Sequence, residues 1–129
     1  MKEKDNTKIK IIDLNSKIAV YVPTTYNTDE ECDTEAYRYE IEEKMAICFG
    51  GFNTSPVNGG WYSKKKGVIR ELNYCVESFC TTSQLEEHLD EVIIYAKKLL
   101  IELKQEAVMI EVNGNGKIIE LVNDEQMAL

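Results

Sequence analysis

Several things are scarce in this chain, and each scarcity excludes something. Of its 129 residues only one is histidine (His88), one tryptophan (Trp61) and two proline. No apolar run approaches the ~20 residues that a membrane-crossing helix needs. The longest candidate, Val92 to Ala96, is broken at once by Lys97 and Lys98. The first eight residues are charged and lack the apolar stretch of a signal peptide, so the cytoplasm is the expected compartment. Cys32, Cys48, Cys75 and Cys80 form no CxxC pair and no histidine stands at ligand spacing. Reduced thiols are expected, and no metal site. Basic charge is short as well, with 15 Lys and Arg against 23 Asp and Glu and a formal charge of −8. General nucleic-acid binding, which depends on neutralising phosphates, is therefore excluded. A small anionic ligand in a locally basic pocket is not.

What is present describes one globular domain. Hydrophobic residues make up 43% and charged residues 29%. A chain of this length buries roughly two-thirds of its unfolded surface, without disulfide or metal. Residues 1–7 read as a flexible N-terminus, 8–122 as the domain and 123–129 as a frayed end.

Alternation over Lys8–Ile12 predicts a short strand, and Ile18, Val20 and Val22 predict a second. Thr28 with Glu31 reads as a capping box opening a helix whose stripe is Tyr37, Ile41, Met45 and Cys48. Gly50 and Gly51 end it. Phe52 to Ser63 reads as a polar connection, and Val68 to Cys80 as a long strand. Ser83 with Glu86 reads as a second capping box, ahead of the stripe Leu85, Leu89, Val92, Ala96, Leu99 and Leu103. Val108, Ile110 and Val112 alternate again, and Asn113 to Gly116 signals a hairpin returning through Ile119 and Leu121. The order is that of an α+β, ferredoxin-like βαββαβ sandwich, an antiparallel sheet with two helices on one face, plus an extra strand at each end. One helical layer leaves the other sheet face open, with Ala19, Tyr21, Glu71, Asn73, Cys75, Glu77, Ala107, Met109 and Glu111 on it. That face is too mixed for a core and rather apolar for open water, so pairing with a second copy is expected there, with a bound ligand as the alternative.

Phe49-Gly50-Gly51-Phe52-x-Thr54, Gly60-Trp61, Gly67-x-x-x-Glu71 and Gln105-Glu106-x-Val108 follow one another along the chain. The pattern resembles that of a functionally uncharacterised group of small bacterial proteins, some carried by plasmids and phages. The resemblance covers roughly residues 49 to 112. It implies the ferredoxin-like frame and no particular reaction, and carriage on mobile elements implies an accessory or counter-defence role, in the bacterial or host cytoplasm.

The stretch from Gly50 to Tyr62 is the most site-like. Glycine pairs allow close backbone approach, and Trp61 and Tyr62 form a stacking platform. Lys64, Lys65, Lys66 and Arg70 make the chain's one basic cluster and would clamp a phosphate. The alternative is structural: Trp61 as a core anchor and the lysines as a solvated hairpin tip. Arg70 is expected on the helix-covered side, paired with Glu106 at the sheet edge, and Glu71 on the opposite face. Gln105 stands at a helix-to-strand junction. His88 has only the helix carboxylates Glu87 and Glu91 near it, so it reads as a boundary residue. No P-loop or dinucleotide glycine pattern is present, no cofactor is expected, and no catalytic residue stands out.

Three function classes follow. The first is a non-enzymatic binder that sequesters a nucleotide-like signalling molecule through Trp61, Tyr62, Lys64, Lys65, Lys66, Arg70, Glu71 and Gln105. The second is an acidic inhibitor steered toward a host protein. The third is a small enzyme of undefined reaction.

Overall fold

The structure, a computed structural model, describes residues 6–122. It contains β1 (Ser16–Pro23), β2 (Thr25–Tyr26), β3 (Glu30–Glu31), α1 (Glu35–Phe49), β4 (Asn53–Ser63), β5 (Gly67–Cys80), α2 (Thr82–Glu102), β6 (Val108–Val112) and β7 (Asn115–Ile119). Five strands form one antiparallel sheet in the order β4-β5-β1-β6-β7, with β2 and β3 as a separate small ladder. This α+β arrangement of a five-stranded sheet and two helices is compatible with the ferredoxin-like frame.

The core lies between the helices and one sheet face. Ile18, Val20 and Val22 point into it from β1, and Val76 and Cys80 from β5. Ile41, Met45, Cys48 and Phe49 meet them from α1, and Leu85, Val92, Ala96 and Leu99 from α2. Gly50 closes α1 in the left-handed region at φ 94°, its N–H donating to Ala46 O. The β6–β7 turn has the pair of positive φ values that a two-residue hairpin demands, 52° at Asn113 and 82° at Gly114.

Four local expectations are corrected. Asn6 to Asn15 forms no strand, and Ile9, Ile11 and Ile12 are exposed. Charges at Lys8, Lys10 and Asp13 solvate the segment, and it pairs with no strand among the described residues. The proposed fraying at 1–5 and 123–129 lies outside the described residues. Thr28 does not cap a helix; it has φ 75°, and Glu30 and Glu31 pair with Tyr26 and Thr25. Instead Asp33 Oδ1 accepts from the Glu35 N–H at 2.9 Å, starting α1 seven residues after Thr28. The capping box of α2 falls two residues earlier than Ser83, at Thr81 and Gln84, with reciprocal bonds of 3.1 and 2.9 Å. Finally, the polar connection from residue 53 to 63 is the long edge strand β4, paired with β5 from Asn53–Glu77 to Ser63–Gly67. An edge strand tolerates Pro56 and two glycines because one side of it makes no ladder bonds.

Candidate functional site

Side chains alternate across a sheet, so the face not covered by helices draws on every second residue. Val57, Gly59 and Trp61 come from β4, Glu71 and Asn73 from β5, and Tyr21 and Pro23 from β1; Ala107, Met109, Ile118 and Gln105 complete the far wall. Together they line an open groove of about 280 Å³, close to the lower end of small-molecule sites. Register sets its width: Gly59 stands opposite Glu71, and Pro23 opposite Asn73. With no side chain at Gly59, the floor beside the carboxylate stays open.

Glu71 is the one charged residue lining this groove. It is half-buried, and burial pushes its carboxyl up from the ordinary range, against the hydrogen bonds from Asn73 and Thr25. Thr25 Oγ1 donates to Glu71 Oε2 at 3.3 Å. Gln105 is buried, and its Nε2 donates to Thr25 O at 2.9 Å and to Leu103 O at 3.2 Å. The amide nitrogen is thereby committed to oxygens of the protein itself. Burial, then Cys75, raises the Tyr21 phenol, which therefore stays neutral. The groove is thus aromatic and apolar, with acceptor groups and no cation.

A second cavity of about 330 Å³ adjoins it and shares Glu71; Thr24, Asp29, Glu31 and Arg70 also line it. Arg70 therefore does not meet Glu106. It is exposed, opposite Gly60 near the turn end of the β4–β5 hairpin, and makes no ion pair among the described residues. Water solvates the guanidinium there, and Glu106 instead accepts from Ser63 Oγ at 3.1 and 3.2 Å.

Of the residues singled out in the sequence, the structure brings Trp61, Glu71 and Gln105 together in the groove and places Arg70 next door. Tyr62 alternates to the opposite face and is 71% exposed. Lys64, Lys65 and Lys66 form the β4–β5 turn, outside the groove. Lys66 Nζ is held at 3.0 Å by both Asn27 O and Asp29 Oδ1. Tyr21, Asn73, Ala107 and Met109 were placed on the open face by alternation alone. Thr25, Pro23 and Val57 carry no sequence signal of a site: the first two lie beyond the alternating run of β1, and Val57 stands in a stretch without alternation.

No protein-family model matches the sequence, and no curated protein matches it significantly. Among the described residues no helix is long and apolar enough to cross a membrane. The fold itself has solved counterparts. The chain is similar to a phage SAM lyase in complex with S-methyl-5'-thioadenosine, with a TM-score of 0.66 over 90% of this chain and 97% of that one, at 14% identity. A phage SAM lyase in the apo state gives 0.61, covering 89% and 97%, at 12% identity. At such identities the likeness establishes a shared fold.

Proposed function

We propose that the groove binds a sulfonium nucleoside of the S-adenosylmethionine class and splits it, releasing S-methyl-5'-thioadenosine. The observation that carries this reading is a half-buried carboxylate, Glu71, facing an aromatic and apolar groove that supplies no cation of its own. A half-buried carboxylate whose hydrogen-bond partners, Thr25 and Asn73, are neutral is satisfied further by a positively charged ligand. The faces of Trp61 and Tyr21 suit both a weakly hydrated cation and an adenine ring. A phosphorylated ligand fits less well, because the lysines stand outside. The likeness to phage SAM lyase supports the same ligand class.

The chemistry asks little of the protein. The ligand's own carboxylate attacks the carbon that bears the sulfonium. A C–O bond forms as the C–S bond breaks, and the electron pair goes to sulfur. Sulfonium and carboxylate become a neutral thioether and a lactone. No enzyme nucleophile or general base takes part, which suits a groove without histidine or a paired thiol. Positioning the reactive conformer against an apolar wall, for a step that cancels charge, is what such a groove supplies. Pairing with a second copy through this open face would set that copy over the groove, whose wall includes the exposed Met109 and Ile118.

Incubation of the purified chain with S-adenosylmethionine, followed by mass spectrometry, tests this. Equal amounts of thioether and lactone, lost in Glu71→Gln, are expected. Tight binding without products would make the protein a sequestering agent instead. Absence of both would overturn the reading.

A further inference from the structure

A second group of chemically competent side chains lies on the helical layer, across the sheet from the groove. Cys48 closes α1, while His88 and Glu91 lie three residues apart on α2. Cys48 Sγ is 3.2 Å from Glu91 Oε2, and His88 Nδ1 is 2.5 Å from the same oxygen. All three donor atoms lie within 4.8 Å of one another. We propose that Cys48, His88 and Glu91 form a zinc-class metal site that clamps the end of α1 to α2.

The donor types select the metal. A sulfur, a ring nitrogen and a carboxylate oxygen suit borderline cations such as zinc, whereas magnesium and calcium take oxygen ligands alone. Three protein ligands leave a fourth tetrahedral position, and the site's exposure is graded to admit water there. Cys48 is 7% exposed at the closed side, whereas the Glu91 side chain is 46% exposed at the open side. The imidazole is already oriented. The Phe49 ring meets it edge-on, at 5.9 Å between centroids and 88° between planes. Its other nitrogen, Nε2, lies 3.8 Å from Glu87 Oε2 on the exposed side, beyond hydrogen-bond distance. Ligands from two helices would add a clamp at the end of α1 to the Tyr37–Glu102 hydrogen bond and the Lys98–Glu40 ion pair that already join α1 to α2, so occupancy should register as stability.

Cobalt(II) is the direct probe. The chelator-stripped full chain should take up one Co(II), with a thiolate-to-metal absorption band and visible bands of a four-coordinate ion. Zn(II) should displace it and raise the melting temperature. Cys48→Ser should abolish the thiolate band. His88→Gln and Glu91→Gln should each weaken Zn(II) binding by about tenfold or more, while Cys32→Ser leaves everything unchanged. If Cys48→Ser fails to fold, Glu91→Gln, at the half-exposed position, carries the test by affinity alone. No band in the unaltered chain, a band lost in Cys32→Ser, or Zn(II) affinity unmoved by His88→Gln and Glu91→Gln would overturn the proposal.

Discussion

Gln105 reaches across 80 positions of chain to Thr25, donating to its carbonyl at 2.9 Å, and the Thr25 hydroxyl in turn donates to Glu71. The link between α2 and β6 is thereby joined to the carboxylate of β5 through a residue of the small ladder. Gln105→Ala breaks the first of these bonds and leaves a buried carbonyl without its donor. A loss of about 1–3 kcal/mol in urea denaturation is expected. Thr25→Val removes the second bond and should weaken ligand binding more than it lowers stability.

Glu71→Gln should separate stability from function. The carboxyl is raised in the folded state by burial, so the folded protein holds that proton more tightly than the unfolded chain. Its effect on stability is therefore favourable on the acid side and is lost as pH rises through the folded value. Binding of a cation runs the other way, strengthening as pH rises through the same value. Calorimetric titrations across that range should show this rise, and Glu71→Gln should flatten it. The variant should melt no lower than the parent and lose affinity by about 30-fold or more, as when one partner of a desolvated charge pair is removed.

Trp61 lies on the edge strand and lines the groove from there. Trp61→Ala should weaken a nucleoside ligand by about tenfold or more, the worth of one stacked base, with little change in melting temperature. Trp61→Phe should restore most of the affinity. A large loss of stability in Trp61→Ala would make it a core anchor.

Adjacent glycines should respond differently. A Cβ at Gly60 would sit 3.0 Å from Ile69 O, a backbone atom of the partner strand, whereas a Cβ at Gly59 meets only Asn73 Nδ2 at 3.7 Å. Gly60→Ala is expected to lower the melting temperature, and Gly59→Ala to leave it nearly unchanged while crowding the floor beside Glu71. Thermal melts and ligand titrations of the two variants distinguish these outcomes.

The legible parts of the fold were those where a single local signal decides. Ile18, Val20 and Val22 announce a half-buried strand, and the α2 stripe from Leu85 to Leu99 a helix. Elsewhere the local signal misled. β4, rich in polar residues, glycine and Pro56, shows no hydrophobic alternation, yet it pairs with β5 along its whole length as an edge strand. Lys8–Ile12 carries apolar residues and pairs with no strand among the described residues. Alternation placed Glu71 on the open face and Trp61 was marked by its type, but only the sheet register shows that they share a groove. The Cys48, His88 and Glu91 group escaped notice because its thiol is 40 residues before its imidazole, on another helix. Spacing rules register ligands on one element or one turn, not on two elements packed together.

Glu71 is a party wall, lining both the groove and its neighbour. It carries one negative charge, and that charge is indivisible. Two cations seated on either side would compete for it, so filling one compartment weakens the hold of the other. Arg70, Asp29 and Glu31 around the second compartment thus set the electrical background for the first without touching what it holds.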